Sequence, residues 1–449
     1  MATRRQVLKL SGMAVASAAL AALGQQLAPA DYTIDIAAYA LEATPRRTIK
    51  TIAYNRQVPG PLLRLKEGQP VTIDVINQTG NSEVVHWHGL FLPSEVDGAM
   101  EEGTPLIPAG GRARYTFTPR PSGFRWYHTH TFAGKDLHKG QYTGQHGFLL
   151  IEPRDHPAQY DQEIFLALHD WDGELLSSGD GSMDPVYEVS TINGRVLGFG
   201  EPLRVKSGQQ VIMHILNSSP SEVHWIALAG HRFKVIALDG NKVPQPRTLS
   251  MLRLAPAERV SALVEMNNPG VWVMGEVRKH IMAAGMGIGV EYAGSSGKPR
   301  WDQPSELSWD YLPFAAVDPP PPQPASAVAI PLLFESKFAG HGAMDRWAIN
   351  GKSYPETNSP ILTAGQRYRL SFINRSNNDH PVHLHRHSFE LRRVPDHPET
   401  HGIVKDTLLV EANTQVDVEF TANNPGPTLF HCHQQNHMDA GFMMLFRYA

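Results

Sequence analysis

The sequence predicts an all-β protein made of three similar sandwich or barrel domains in series. Three observations carry this. Short stretches alternate apolar and polar residues, as in Gln69-Pro70-Val71-Thr72-Ile73-Asp74-Val75-Ile76, and such alternation marks strands with one buried face. Pro, Gly and Asn punctuate these stretches at short intervals, and sustained helical periodicity is absent beyond residue 30. One pattern of strands and turns is also written three times along 449 residues, a length too great for a single ordinary core.

The first copy runs from Tyr54-Asn55-Arg56 through Gly60-Pro61-Leu62, Lys66-Glu67-Gly68-Gln69 and Val75-Ile76-Asn77 to His86-Trp87-His88. The second runs from Ile192-Asn193-Gly194 through Val205-Lys206-Ser207-Gly208-Gln209 and Ile215-Leu216-Asn217 to His224-Trp225-Ile226. The third runs from Ile349-Asn350-Gly351 through Thr363-Ala364-Gly365-Gln366 and Phe372-Ile373-Asn374 to His383-Leu384-His385. The steps between the leading asparagines match the size of a compact sandwich. They place domains at residues 31–155, 156–312 and 332–449. Residues 313–331 include Pro319-Pro320-Pro321-Pro322. Proline lacks the donor a sheet ladder needs, so this segment is expected to be an extended linker that lets the third domain reach back to the first.

The N-terminus reads as an address. Thr3-Arg4-Arg5-Gln6-Val7-Leu8-Lys9 is a twin-arginine pattern, an apolar run from Leu10 to Leu23 follows, and Ala28-Pro29-Ala30 offers small residues for cleavage. Residues 1–30 are therefore expected to be a Tat-type export signal, and the mature chain is expected in the periplasm or secreted. The apolar run is too short to span a bilayer, and no second stretch is apolar enough. Net charge is −4 with no basic run, which argues against a nucleic acid or an anionic membrane as partner. The lone cysteine, Cys432, excludes an internal disulfide.

Four His-x-His pairs stand out among 22 histidines: His86/His88, His128/His130, His383/His385 and His431/His433. In a strand, residues i and i+2 share a face, so each pair presents two imidazoles together. Eight imidazoles without adjacent carboxylate ligands exceed what one zinc needs, and imidazole suits copper, iron and zinc alike. The C-terminal motif discriminates. Cys432 lies between His431 and His433, so its side chain points to the opposite face, where it can bind a different ion. His437 follows and His380 precedes the His383 pair, and two imidazoles with one thiolate form the trigonal site of blue copper.

His86-Trp87-His88-Gly89, Trp126-Tyr127-His128-Thr129-His130, His380-Pro381-Val382-His383-Leu384-His385 and His431-Cys432-His433 with His437 resemble the four copper motifs of multicopper oxidases, of which laccases are the best known. The resemblance covers the whole mature chain. It implies three cupredoxin-like Greek-key domains and four coppers per chain. It assigns the type 1 copper to His380, Cys432 and His437, and the type 2 copper to His86 and His383. One type 3 copper falls to His88, His128 and His433, and its partner to His130, His385 and His431. The second repeat has His224-Trp225-Ile226 where a pair would stand, so it is expected to bind no copper.

The resemblance further implies a proton-handling acid at Asp97 and a type 1 axial position at Phe442, five residues after His437. Phenylalanine there is non-ligating, as in fungal laccases. Many bacterial relatives carry an acid directly after the type 1 histidine; this chain has Met438, and Asp439 is expected to face elsewhere. Trp87, Trp126 and Tyr127 are read as packing. His138, His146 and His341 are among twelve further histidines read as surface or ordinary polar groups, and Gly134 to Gly147 as a mobile loop. The implied activity is one-electron oxidation of phenols and aromatic amines near an exposed edge of His437, coupled to reduction of dioxygen to water by a monomer. A cuprous-ion oxidase is the alternative, although Met282 and Met286 are the only close methionine pair before the C-terminus. A non-catalytic binding protein of the same fold would have lost ligands, and this chain keeps all eleven.

Overall fold

The computed structural model describes residues 28–154, 159–177, 183–318, 327–341, 345–395, 397 and 399–449. The twin-arginine pattern, its apolar run and the tetraproline lie outside the described residues. Each repeat forms two packed sheets. In the first, strands Arg47–Tyr54, Tyr32–Thr44, Val71–Asn77 and Arg112–Phe117 make one sheet. Strands Gly60–Lys66, His146–Glu152, Gly123–Thr129 and Val85–His86 make the other. The second and third repeats each pair a six-stranded with a five-stranded sheet, in the same strand order. Among the described residues helices are single turns, such as Ser94–Asp97, Lys279–Ala283 and Gln435–Asp439. Among the described residues no helix is long and apolar enough to cross a membrane.

The repeated asparagines have a common physical task. Asn55, Asn193 and Asn350 adopt φ values of 51°, 52° and 51°, a left-handed geometry that asparagine tolerates. Each side chain then bonds the backbone of a neighbouring strand. Asn55 Oδ1 accepts from Asp35 N at 2.7 Å, Asn193 Oδ1 from Ala167 N at 2.8 Å, and Asn350 Oδ1 from Leu333 N at 2.8 Å. The later asparagines do the same inside each sandwich: Asn77, Asn217 and Asn374 donate to Ile107, Leu254 and Val410 carbonyls at 3.0, 2.8 and 3.2 Å. The sequence repeat is a repeat of buried backbone satisfaction.

Pro331 departs from expectation. The first strand of the third repeat begins at Val328 and contains it, paired in parallel with Ser371. The proline is tolerated because Arg346–Ile349 flanks this strand only from Phe334 onward, leaving Pro331 on an unpaired edge. The Gly134 to Gly147 stretch also departs from its reading as a mobile loop. It holds a 3-10 turn at Gly140–Tyr142 whose residues are buried. The Gln141 N–H donates to Gln435 Oε1 at 3.0 Å, tying the stretch to the C-terminal motif.

Candidate metal centre

Each histidine pair sits where a strand ends, so one imidazole is fixed by the sheet and its mate by the exit. His86 pairs across the ladder with His128, and His383 with His431 in the same antiparallel sense. The two ladders meet, and eight imidazoles converge in a buried cluster drawn from the first and third repeats. Ligand atoms fall within 4.8 Å of one another in three groups: His86, His88 and His383; His88, His128 and His433; His130, His385 and His431.

Six of the eight imidazoles have one ring nitrogen held by an oxygen, which decides where their other lone pair points. His86, His128, His383 and His431 donate from Nδ1 to the carbonyls of Asp97, Thr129, Asp406 and Cys432 at 2.9, 2.7, 2.7 and 2.8 Å. His385 donates from Nδ1 to Asp97 Oδ2 at 2.9 Å. His88 is turned the other way, with Nε2 on Asp406 Oδ1 at 3.2 Å and Nδ1 facing inward, 3.4 Å from His128 Nε2. His86 Nε2, His383 Nε2 and both nitrogens of His433 are buried with no partner. Burial holds His88, His128, His383, His385, His431 and His433 well below the usual imidazole range, and His130 down to about 3. Neutral imidazoles with inward lone pairs are the protonation state a metal requires.

Cys432 points away from this cluster. Its Sγ lies 3.7 Å from His380 Nδ1 and 3.6 Å from His437 Nδ1, and these nitrogens are 3.1 Å apart. The centre of that triangle is about 2 Å from all three atoms, close to the roughly 2.0–2.3 Å of metal–imidazole and metal–thiolate bonds. Ser376 Oγ holds His380 Nε2 at 2.8 Å, which aims Nδ1 at the sulfur. Burial pushes the Cys432 thiol up and His437 down to about 3, so a bound cation would be needed to keep the thiolate. Phe442 is fully buried with its ring 4.8 Å from that of His380, and Met443 packs instead with Ala99, Leu429 and Met438.

The surroundings of the two sites correct or extend the sequence reading. His437 is only 1% exposed, so its edge is not open to solvent as expected; Trp347 covers it at 4.2 Å between ring centroids and covers His380 at 4.6 Å. Asp439 does face elsewhere: it accepts from the Ala133 and Gly134 N–H groups at 2.8 and 2.7 Å, and burial raises its pKa to about 6. Glu102 is buried near His385, accepts from Leu429 N at 2.6 Å, and is pushed well up by burial and by Asp97. His146 is no surface residue; it stacks on His169 in the interior at 4.6 Å. Trp87 packs on Tyr115 and Phe117, while Trp126 stacks on His128 at 4.1 Å.

The second repeat shows what replaces a metal. Ladder register aligns His224 with His380, since they oppose Leu254 and Val410. It aligns Glu276 with Cys432, since they oppose Ile226 and Val382. His224 donates to Asp170 at 2.8 Å and to Glu276 at 3.1 Å, with both ring nitrogens used. The positions aligned with His383 and His431 are Ala227 and Gly275. A buried imidazolium between two carboxylates occupies the place of the His–Cys pair.

Tandem β-sandwiches with a His2Cys triangle and an eight-imidazole cluster define a copper-dependent redox protein. The chain belongs to the multicopper oxidase family: models described as multicopper oxidase match residues 37–156, 165–289 and 331–449. The family binds four coppers of types 1, 2 and 3, and its members are oxidoreductases with dioxygen as acceptor. The chain is 29% identical over 436 residues to multicopper oxidase MmcO of Mycobacterium tuberculosis, covering 88% of this chain and 82% of that one. It is 24% identical to laccase-4 of Thanatephorus cucumeris, covering 85% and 82%. The fold matches a solved multicopper oxidase of Campylobacter jejuni, described as a metallo-oxidase, with a TM-score of 0.71, 20% identity and coverage of 93% and 96%.

Proposed function

We propose that the chain is a laccase-like oxidase, taking single electrons from phenols and aromatic amines near Cys432 and delivering them to dioxygen at the histidine cluster. The observation that carries this reading is the end of strand Thr428–Cys432. Cys432 faces the His380–His437 pair, while His431 and His433 on either side of it face the cluster. His431 Nδ1–H also donates to the Cys432 carbonyl, so one residue and one hydrogen bond join the two sites. In this reading His380, Cys432 and His437 hold the type 1 ion and His86 and His383 the type 2 ion. His88, His128 and His433, and His130, His385 and His431, hold the type 3 pair. Bound copper supplies the one-electron chemistry and the four-electron reduction of dioxygen to water. The chain supplies neutral, oriented imidazoles and an acid, Asp97, whose Oδ2 meets both His385 and His86.

A cleft of about 600 Å³ supports the reductant's approach; its walls include Trp225, Glu222, Asp184, Asp379 and Gln434. Asp379 directly precedes His380 and Gln434 directly follows His433, so a donor seated there is one residue from either set. A second reading, oxidation of a metal cation such as Cu(I), draws only on the negative charge of these three carboxylates, since their oxygen donors are hard and Cu(I) prefers soft ones. Oxygen uptake with a phenol against Cu(I) separates the two. The first reading requires the higher kcat/KM with phenols. We also read residues 1–30 as an export signal, testable by the N-terminal sequence of protein recovered outside the cytoplasm.

The test of the metal reading is the absorption spectrum of copper-loaded protein beside Cys432→Ser. An intense blue band is expected, with a near-ultraviolet shoulder from the coupled pair, and only the blue band should vanish in the variant. A fully loaded protein without a blue band would remove Cys432 from the electron path. A second expectation concerns Phe442. Lack of an axial donor destabilises Cu(II) more than Cu(I) and so raises the potential, and Phe442→Met should lower the type 1 potential in a redox titration. An equal or higher potential in the variant defeats that view.

A further inference from the structure

Among the described residues the second repeat places no histidine in the cluster, yet a charge network from it ends on the cluster's histidines. Asp406, fully buried, touches two of them at once. Its Oδ1 accepts from His88 Nε2 at 3.2 Å, and its backbone carbonyl accepts from His383 Nδ1 at 2.7 Å. One comes from the first repeat and one from the third. These contacts turn His88 to present Nδ1 inward and His383 to present Nε2 inward, and Thr407 Oγ1, 3.2 Å from His88 Nε2 and 3.4 Å from His383 Nδ1, shares in both.

Asp406 is itself clamped from the second repeat. Arg259 meets it in a two-pronged contact, Nη1 to Oδ1 and Nη2 to Oδ2, both at 2.6 Å. A planar fork of this kind fixes the plane of the carboxylate as well as its position. Arg259 in turn is braced by Asp239, whose Oδ1 accepts the Arg259 N–H at 3.0 Å and whose backbone carbonyl accepts from Nη2 at 3.1 Å. Arg125 of the first repeat adds a contact to Asp406 Oδ2 at 3.3 Å. Lys405 closes the far side, 2.9 Å from Asp239 and 3.2 Å from Glu258, and touches no histidine. Space is tight: a Cβ on Gly89, next to His88, would lie 2.6 Å from Asp406 Oδ2 and 2.9 Å from Arg259 Nη2.

A fully buried ion pair of this sort is weak evidence for stability, because desolvation offsets its attraction. Its geometry here does something else. We propose that Arg259 is a positioning residue for the histidine cluster, acting through Asp406 on His88 and His383, and that this is the contribution of the copperless second repeat to the centre. The inference rests on the reading of those histidines as copper ligands. Loss of an outer partner that orients a metal-bound histidine weakens metal binding by about 10–100-fold.

The test uses the copper-loaded full chain, with three readouts: copper per chain under a competing chelator, the near-ultraviolet shoulder and type 2 EPR signal, and the blue band. Arg259→Met is expected to release cluster copper about 10–100-fold more readily and to alter the shoulder and the EPR signal, while the blue band persists. Arg259→Lys should restore part of the loss. Should Arg259→Met fail to fold with Asp406 left unpaired, Arg259→Met with Asp406→Asn removes both charges and should fold with the same cluster defect. Lys405→Met, in the same network but off the histidines, should keep the shoulder. Wild-type cluster signals and copper retention in the Arg259 variants would overturn the proposal, as would an equal loss in Lys405→Met. If wild-type protein shows the blue band but no cluster signals, the ligand reading itself fails, whatever the variants do.

Discussion

Asp97→Asn is expected to slow oxygen consumption by roughly two to four orders of magnitude, the range for loss of a positioned acid or base, without changing the blue absorption. The asparagine keeps the shape and one acceptor oxygen, so His385 and His86 lose little of their orientation. What it cannot do is carry a proton, and dioxygen reduction to water consumes four. Asp97 is fully buried and its Oδ1 has no partner, so its second oxygen is free for that role. Anaerobic stopped-flow reduction of the blue site by a phenol should match wild type, because the variant lies on the cluster side. If that half-reaction slows as much as steady-state oxygen uptake, Asp97 acts through general disruption and the assignment is wrong.

His224→Ala should destabilise the protein by about 3–5 kcal/mol, the cost of leaving buried charge without its partner. Urea denaturation followed by fluorescence measures it, and a change below about 1 kcal/mol would refute the charged-triad description. The pH dependence has a defined sign. Burial alone would lower the His224 pKa, but Asp170 and Glu276 outweigh it and raise it to about 10. The unfolded value is roughly 6.5, so this contribution is fully present below about pH 6.5 and is lost as pH rises toward 10. Burial opposes ionisation of Asp170 and Glu276 too, yet His224 holds both below their ordinary values. Their contribution is present above the unfolded carboxylate range and is lost as pH falls below it. Wild type minus His224→Ala stability should therefore be greatest between about pH 5 and 6.5.

The sequence was most informative where chemistry follows from spacing. His-x-His at the end of a strand forces two imidazoles to one side, and Cys432 between two histidines must turn to the other; both are local rules. The three asparagine–strand–Gly-Gln units are local as well, since each is a turn geometry with its own backbone bonds. Legibility ended where groups distant in the chain were brought together. Nothing near Arg259 or Asp406 marks them, because their meaning lies in a contact across 147 residues. The charged state of His224 depends on Asp170 and Glu276, each more than fifty residues away. Trp347 lies at the start of its repeat, and only folding sets it over His437. Pro331 shows the converse error: composition argued against a strand, but edge position removes the objection.

The division of the cluster between the two ends of the chain has a consequence for how the protein comes into being. Half of its histidines are synthesised before His130 has left the ribosome, and the rest only near the end of translation. Neither half alone encloses an ion, since each group that mixes His88 with His433, or His130 with His385, needs both. A chain that ends before His431 lacks a histidine from two of the three groups. Possession of the cluster thus requires that translation passed His433 and that the first and third repeats found each other, a test of integrity written into where the ligands sit.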